Sequence, residues 1–116
     1  MPTAATKVSL SPEEYLVGEE HADVRHEYVA GDTYAMAGAG EQHNRIALNI
    51  AFQLRSRARG GACGVFMSDM KLRIKQGERF YYPDVILVCD EQDDNTHYKD
   101  NPCLVAEVLS PSTEAT

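Results

Sequence analysis

The sequence predicts a mixed α/β (α+β) domain, a sheet flanked by helices, and three observations carry that expectation. Val85–Ile86–Leu87–Val88–Cys89 and Cys103–Leu104–Val105–Ala106–Glu107–Val108–Leu109 are apolar at positions of either parity, as in strands covered on both faces. From about Glu41 to Arg59, residues Ile46, Ala47, Ile50, Ala51, Leu54 and Ala58 recur at helical spacing and form one apolar stripe. At 116 residues, 43% hydrophobic and 25% charged, the chain has the size and composition of one soluble globular domain spanning residues 1–116.

The elements follow in order. Ser11–Pro12–Glu13–Glu14 is a helix start: Ser11 can cap, Pro12 suits the first helical position, and Glu14 can complete a capping box. This short helix is expected to reach about Glu20. His26–Val29 and Thr33–Ala37 read as a hairpin turned by Ala30–Gly31–Asp32, and Gly38–Ala39–Gly40 breaks the chain before the long helix. Gly60–Gly61 stops that helix. Val65–Met67 and Met70–Lys75 read as strands around Ser68–Asp69. In the second, Met70, Leu72 and Ile74 alternate with Lys71, Arg73 and Lys75, which predicts one buried and one cationic face. Gln76–Gly77–Glu78 turns into the strand holding Pro83 and Asp84. Asp90–Asn95 is an acidic loop without the ligand order or glycine of an EF-hand, so it reads as solvated. Ser110–Pro111–Ser112–Thr113–Glu114 announces a helix, yet the sequence ends at Thr116. The expectation is a domain truncated at its C-terminus, without that helix and the last strands.

Composition narrows the function classes. No run approaches the roughly 20 apolar residues of a membrane span, and Met1–Pro2–Thr3–Ala4 lacks the charged start of a signal peptide. The expected location is cytoplasmic. Cys63, Cys89 and Cys103 show no CxxC spacing, and their odd number argues for small buried hydrophobes and against disulfides. The net charge is −7, but it is segregated. Eight cations lie between Arg45 and Arg79 against only Asp69 and Glu78, a net +6 that leaves −13 elsewhere. Such asymmetry fits a basic face for phosphates, with Arg55, Arg59, Lys71, Arg73 and Lys75 as nucleic-acid-binding residues; it equally fits a solvated helix face and a solvated hairpin.

Glu107 is the lone acid in its apolar run. A carboxylate buried there would cost several kcal/mol unless a partner or a metal satisfied it. Asp84 directly precedes the other apolar run, so two carboxylates on two strands suggest a pair converging on a cation. A salt bridge from Glu107 to an arginine of the long helix, and a turn role for Asp84 beside Pro83, are the structural alternatives. His43, near the start of the long helix, could contact a phosphate or orient water. Asp69 reads as a turn residue, Tyr81 and Tyr82 as packing residues, and His21, His26 and His97 as surface residues.

The separation Pro83–Asp84 … Glu107–Val108–Leu109 resembles the PD-(D/E)XK nuclease core, in which an Asp at the start of one strand and an acid within the next bind divalent metal. From about Leu10 onward, the chain resembles the Uma-two family of restriction-endonuclease-like proteins. The resembling stretches are Arg25–Asp32, Met36–Ala37–Gly38 with His43 and Asn49, Tyr82–Asp90, and Leu104–Thr113. The resemblance implies a restriction-endonuclease-like mixed sheet flanked by helices and a phosphodiesterase centre acting on DNA with Mg²⁺ or Mn²⁺, cations suited to hard oxygen ligands. It makes Asp84 the metal-bridging acid, Glu107 the second metal acid and the Val108 carbonyl a further ligand, with Glu27 as the acid before the core strands. One departure matters. The Lys of the acid-x-Lys motif would fall at Leu109, and the helix on which the family places a Lys is missing. A catalytic cation would then have to come from elsewhere, such as Lys71 or Lys99. Two readings follow: a metal-dependent endonuclease, or a non-catalytic module that keeps the nuclease fold and self-associates, plausibly as a homodimer.

Overall fold

The computed structural model describes residues 9–109. The elements in chain order are α1 (Pro12–His21), β1 (His26–Val29), β2 (Asp32–Ala35), α2 (Glu41–Ala58), β3 (Gly64–Met67), β4 (Lys71–Ile74), a 3₁₀ turn (Lys75–Gly77), β5 (Arg79–Tyr81), β6 (Val85–Val88), β7 (Tyr98–Lys99) and β8 (Leu104–Ala106). The helix entrance expected at Ser110–Glu114 lies outside the described residues. Two units share the described residues, one made of 9–38 with Arg73–Tyr81, the other of Ala39–Leu72 with residues 82–109.

In the first unit, Ser11 and Glu14 form the expected capping box. The Ser11 hydroxyl accepts the Glu14 N–H at 3.1 Å, and the Ser11 N–H donates to Glu14 Oε1 at 2.8 Å. These bonds from Ser11 hold the Glu14 carboxyl below its ordinary pKa. α1 buries a single residue, Tyr15, whose ring stacks on Tyr28 at 5.0 Å and tilts against Phe80 at 5.2 Å. Burial raises the Tyr28 phenol above its usual pKa, and its hydroxyl donates to the Leu10 carbonyl at 2.6 Å. β1 and β2 form the antiparallel hairpin through Ala30 and Gly31, whose φ values of 48° and 100° are both positive, as the tightest hairpin turns require. β5 continues the order β2-β1-β5.

The second unit carries the second core. α2 buries Ala47 and Ala51 against Val85 and Val108, with Ile50, Leu54, Val65, Met67 and Ala106 packed around them. Ile46, placed in the same stripe by spacing, is 40% exposed. Beneath α2 lies an antiparallel sheet in the order β3-β6-β8. Lys71 and Leu72 of β4 pair in parallel with β7, so the strand arrangement is mixed, as expected. Among the described residues, no helix is long and apolar enough to cross a membrane.

Three expectations fail here for identifiable reasons. The run Cys103–Leu109 is not a strand covered on both faces. Among the described residues β8 is three residues long and pairs with β6 alone, which leaves Leu104 40% and Val105 44% exposed. Composition makes a strand apolar, but its place at the edge decides what is covered. Lys71 does not belong to a cationic surface face; it is buried, with its ammonium 5.5 Å from the centre of the Tyr82 ring. The cysteines are not all buried thiols either. Gly64 pairs with Val88, so Cys63 and Cys89 continue that ladder opposite each other and form a disulfide, while Cys103 is free and exposed. Strand register creates this pair, and linear spacing does not show it.

The bridge closes a loop with a sequence separation of 26, for which chain entropy gives about 3 kcal/mol of stability. Urea denaturation with and without reductant should show a loss of that order. Cys89→Ser should show the same loss and no further response to reductant.

Candidate functional site

The site is set by the register of β6 on β8. Val85 lies opposite Ala106, so Asp84, just before β6, and Glu107, just after β8, come together at the end of the antiparallel pair. The Asp84 N–H donates to Glu107 Oε1 at 3.3 Å, and the Val108 N–H donates to Asp84 Oδ2 at 2.7 Å. Such a short bond to a carboxylate is of the stronger, charge-assisted kind. α2 lies over this end of the sheet and brings His43, in its first turn, to within 3.1 Å of the same oxygen through Nε2. The His43 and Asp84 side chains are 17% and 15% exposed, whereas Glu107 is exposed. The premise that Glu107 is a buried charge is therefore wrong, and its contact with Asp84 runs through the Asp84 N–H. The chain leaves the sheet at Ala106, so the acid sits past the strand.

Asp84 ties the start of β6, the segment after β8 and the first turn of α2 to one carboxylate oxygen. Oδ2 is engaged by Val108 and His43, which leaves Oδ1 as the remaining ligand atom of Asp84. Mg²⁺ is commonly held by one or two carboxylates together with waters and phosphate oxygens. Asp84 and Glu107 meet that requirement, and the Val108 carbonyl lies beside them in sequence. Among the described residues, no group of three or more His, Cys, Asp or Glu side chains is placed to hold a metal ion.

The other anticipated residues are distributed differently. Glu27 is half-buried on β1 opposite Tyr34, in the first unit. Arg73, half-buried, and Lys75, exposed, also belong to that unit, whereas Arg55 and Arg59 are exposed on and beside α2 in the second. Lys99 is buried; its ammonium donates to the Asp93 carbonyl at 2.9 Å and lies 5.1 Å from the centre of the Phe66 ring. Asp69 is an exposed turn residue, and Tyr82 is buried, as expected. His26 is half-buried rather than a free surface residue, its Nδ1 2.9 Å from Glu19 Oε1. The acidic loop holds a residue that sequence reasoning missed. Asp93 is buried, and its carboxylate accepts the N–H groups of Asp100 and Asn101 at 3.0 and 2.8 Å. Nothing in the composition distinguishes it from Asp90 or Asp94.

The model of the Uma2 family, described as "Putative restriction endonuclease", matches residues 12–116. The chain belongs to the Uma2 family. It is 43% identical over 107 residues to the uncharacterized protein slr1290 of Synechocystis, covering 91% of this chain and 56% of that protein. It is 37% identical over 115 residues to the uncharacterized protein sll1609 of the same organism, covering 97% of this chain and 64% of that protein. A crystal structure from Anabaena variabilis, described as a putative nuclease belonging to DUF820, superposes with a TM-score of 0.69 at 17% identity, over 89% of this chain and 60% of that one. Uma2 membership and this likeness place the fold in the restriction-endonuclease-like, PD-(D/E)XK class. The chain thus spans between 56% and 64% of the length of these relatives.

Asp84→Ala should lower the unfolding free energy by about 1–3 kcal/mol, since it leaves the Val108 N–H without its acceptor. His43→Ala should cost less in the Asp84→Ala background than in the parent. Strictly additive losses in denaturant titrations would show that the two side chains do not interact.

Proposed function

We propose that this Uma2 chain is a module of nuclease fold that acts by association, with copies of itself, and does not hydrolyse phosphodiesters on its own. The observation that carries the reading is the side chain at position 109, together with the burial of the two lysines that could stand in for it. Leu109 stands where the acid-x-Lys motif has its lysine, and it is 64% exposed. Lys71 and Lys99, the alternatives, are buried against Tyr82 and Phe66. A lysine at position 109 would meet charge developing on a phosphate beside Asp84 and Glu107, and preorganised charge of that kind is usually the largest catalytic contribution. A cytoplasmic location belongs to the same proposal. In a reducing cytosol, Cys63 and Cys89 would be held as thiols.

One observation favours a second reading, a Mg²⁺- or Mn²⁺-dependent endonuclease acting on DNA: the convergence of Asp84 and Glu107 in a chain whose family is described in those terms. Asp84 Oδ1, Glu107 and the Val108 carbonyl would hold the cation. When bound, it would supply a water of lowered pKa and neutralise phosphate charge. His43 would be a positioning residue for Asp84, and the exposed Arg55 and Arg59 would bind backbone phosphates.

Plasmid incubated with the chain and Mg²⁺ or Mn²⁺ should remain supercoiled. Nicking that disappears in Glu107→Ala would establish the second reading instead. Cation binding is measured separately by melting. A hundredfold excess of Mn²⁺ over its dissociation constant should stabilise the parent by about 2.7 kcal/mol and leave Asp84→Ala unshifted. Equal shifts would remove Asp84 from the cation site.

A further inference from the structure

α2 has two apolar faces, and the core uses only one. Ala47, Ile50, Ala51 and Leu54 point into the second unit's core. Leu48 and Phe52 lie about 100° further round the helix and are 55% and 63% exposed. An isolated exposed leucine is ordinary, but an i, i+4 pair of large apolar side chains at the middle of an 18-residue helix forms a patch. That patch sits in a longer pattern. Glu41, Arg45, Leu48, Phe52, Arg55 and the capping residue Arg59 follow the alternating four-three spacing of a heptad seam.

We infer that this seam is where two copies of the chain meet, with α2 packed antiparallel to α2 of the second copy about a two-fold axis. The inference rests on the self-association proposed above and gives it a surface. The order of residues along the seam selects the occupant. With the axis crossing α2 near Ile50, Leu48 faces Phe52 of the second copy on both sides of the axis, so the apolar residues cover each other. The same register sets Glu41 opposite Arg59 of the second copy, once at each end. An isologous contact demands such self-complementarity, because every pairing occurs twice. One juxtaposition is unfavourable, Arg45 opposite Arg55. Arg45 is already bonded to Glu41 of its own helix, with Nη2 2.9 Å from Oε2, which offsets part of that charge. A single helix pair is at the small end of specific interfaces, so the association should be concentration-dependent.

Sedimentation equilibrium of the whole chain over a protein concentration series decides the matter. The parent should move from monomer toward dimer, and Phe52→Glu should raise the apparent dissociation constant at least tenfold. Circular dichroism and melting of that variant should match the parent, since the side chain lies outside the core. Should Phe52→Glu disturb folding, the charge pair gives an independent answer: Glu41→Arg weakens the dimer, and adding Arg59→Glu restores it. A parent dimer that survives Phe52→Glu, or a charge swap without rescue, would place the interface elsewhere and overturn the inference, while plasmid cleavage separately judges the non-catalytic reading. A parent that stays monomeric, but binds an oligonucleotide in a manner lost on Arg55→Glu, would give the seam to nucleic acid and also overturn it.

Discussion

The bond from the Val108 N–H to Asp84 Oδ2 is the contact on which the second unit's functional end depends. It joins the residue that opens β6 to the segment that follows β8, and His43 of α2 closes on the same oxygen. Without it the strand pair would still align through Val85 and Ala106, but the chain beyond β8 would be held beside Asp84 by apolar contact alone. Val108 is also a core residue under α2, so the hydrogen bond and the apolar contact hold the same segment by its backbone and its side chain. The contact between Glu107 and the Asp84 backbone follows from this arrangement.

β6 is held at its opposite end as well. Cys89 is bonded to Cys63 across the β3 ladder, immediately beyond the Gly64–Val88 pair. The middle of the strand, Val85 and Ile86, is almost wholly buried. With the bridge formed, a strand fixed at both ends is a rigid platform, and sites on such platforms keep their geometry better than sites on loops. Asp84 is therefore a well-positioned group, while the exposed Glu107 sits on backbone that has left the sheet.

What the sequence reveals depends on how local the cause is. The capping box at Ser11, the Ala30–Gly31 turn and the α2 stripe are each written within a few residues, and the structure shows them where expected. Asp84 and Glu107 are legible as a pair, though the burial argument that singled out Glu107 fails because β8 is a short edge strand. The disulfide and the buried Lys71 escape notice for a different reason. Both depend on which strand lies beside which, and alternation along β4 cannot reveal that Tyr82 covers one of its lysines. Asp93 is hidden in the same way, since its partners Asp100 and Asn101 come from the far end of its loop.

These distinctions bear on how a role for the acid pair is to be read. Asp84 would be needed by this fold with no cation present, because its carboxylate satisfies a backbone donor and an imidazole. Any variant of Asp84 thus mixes lost ligation with a loosened segment after β8, and a fall in activity would not separate the two. Glu107 offers a cleaner distinction. Its side chain is exposed, and its bond to the Asp84 N–H is long at 3.3 Å. Chemistry that depends on Glu107 while stability does not would mark a functional carboxylate. A fold indifferent to Glu107 in both respects would leave Asp84 as a structural tie, and the nuclease likeness would then describe the scaffold alone.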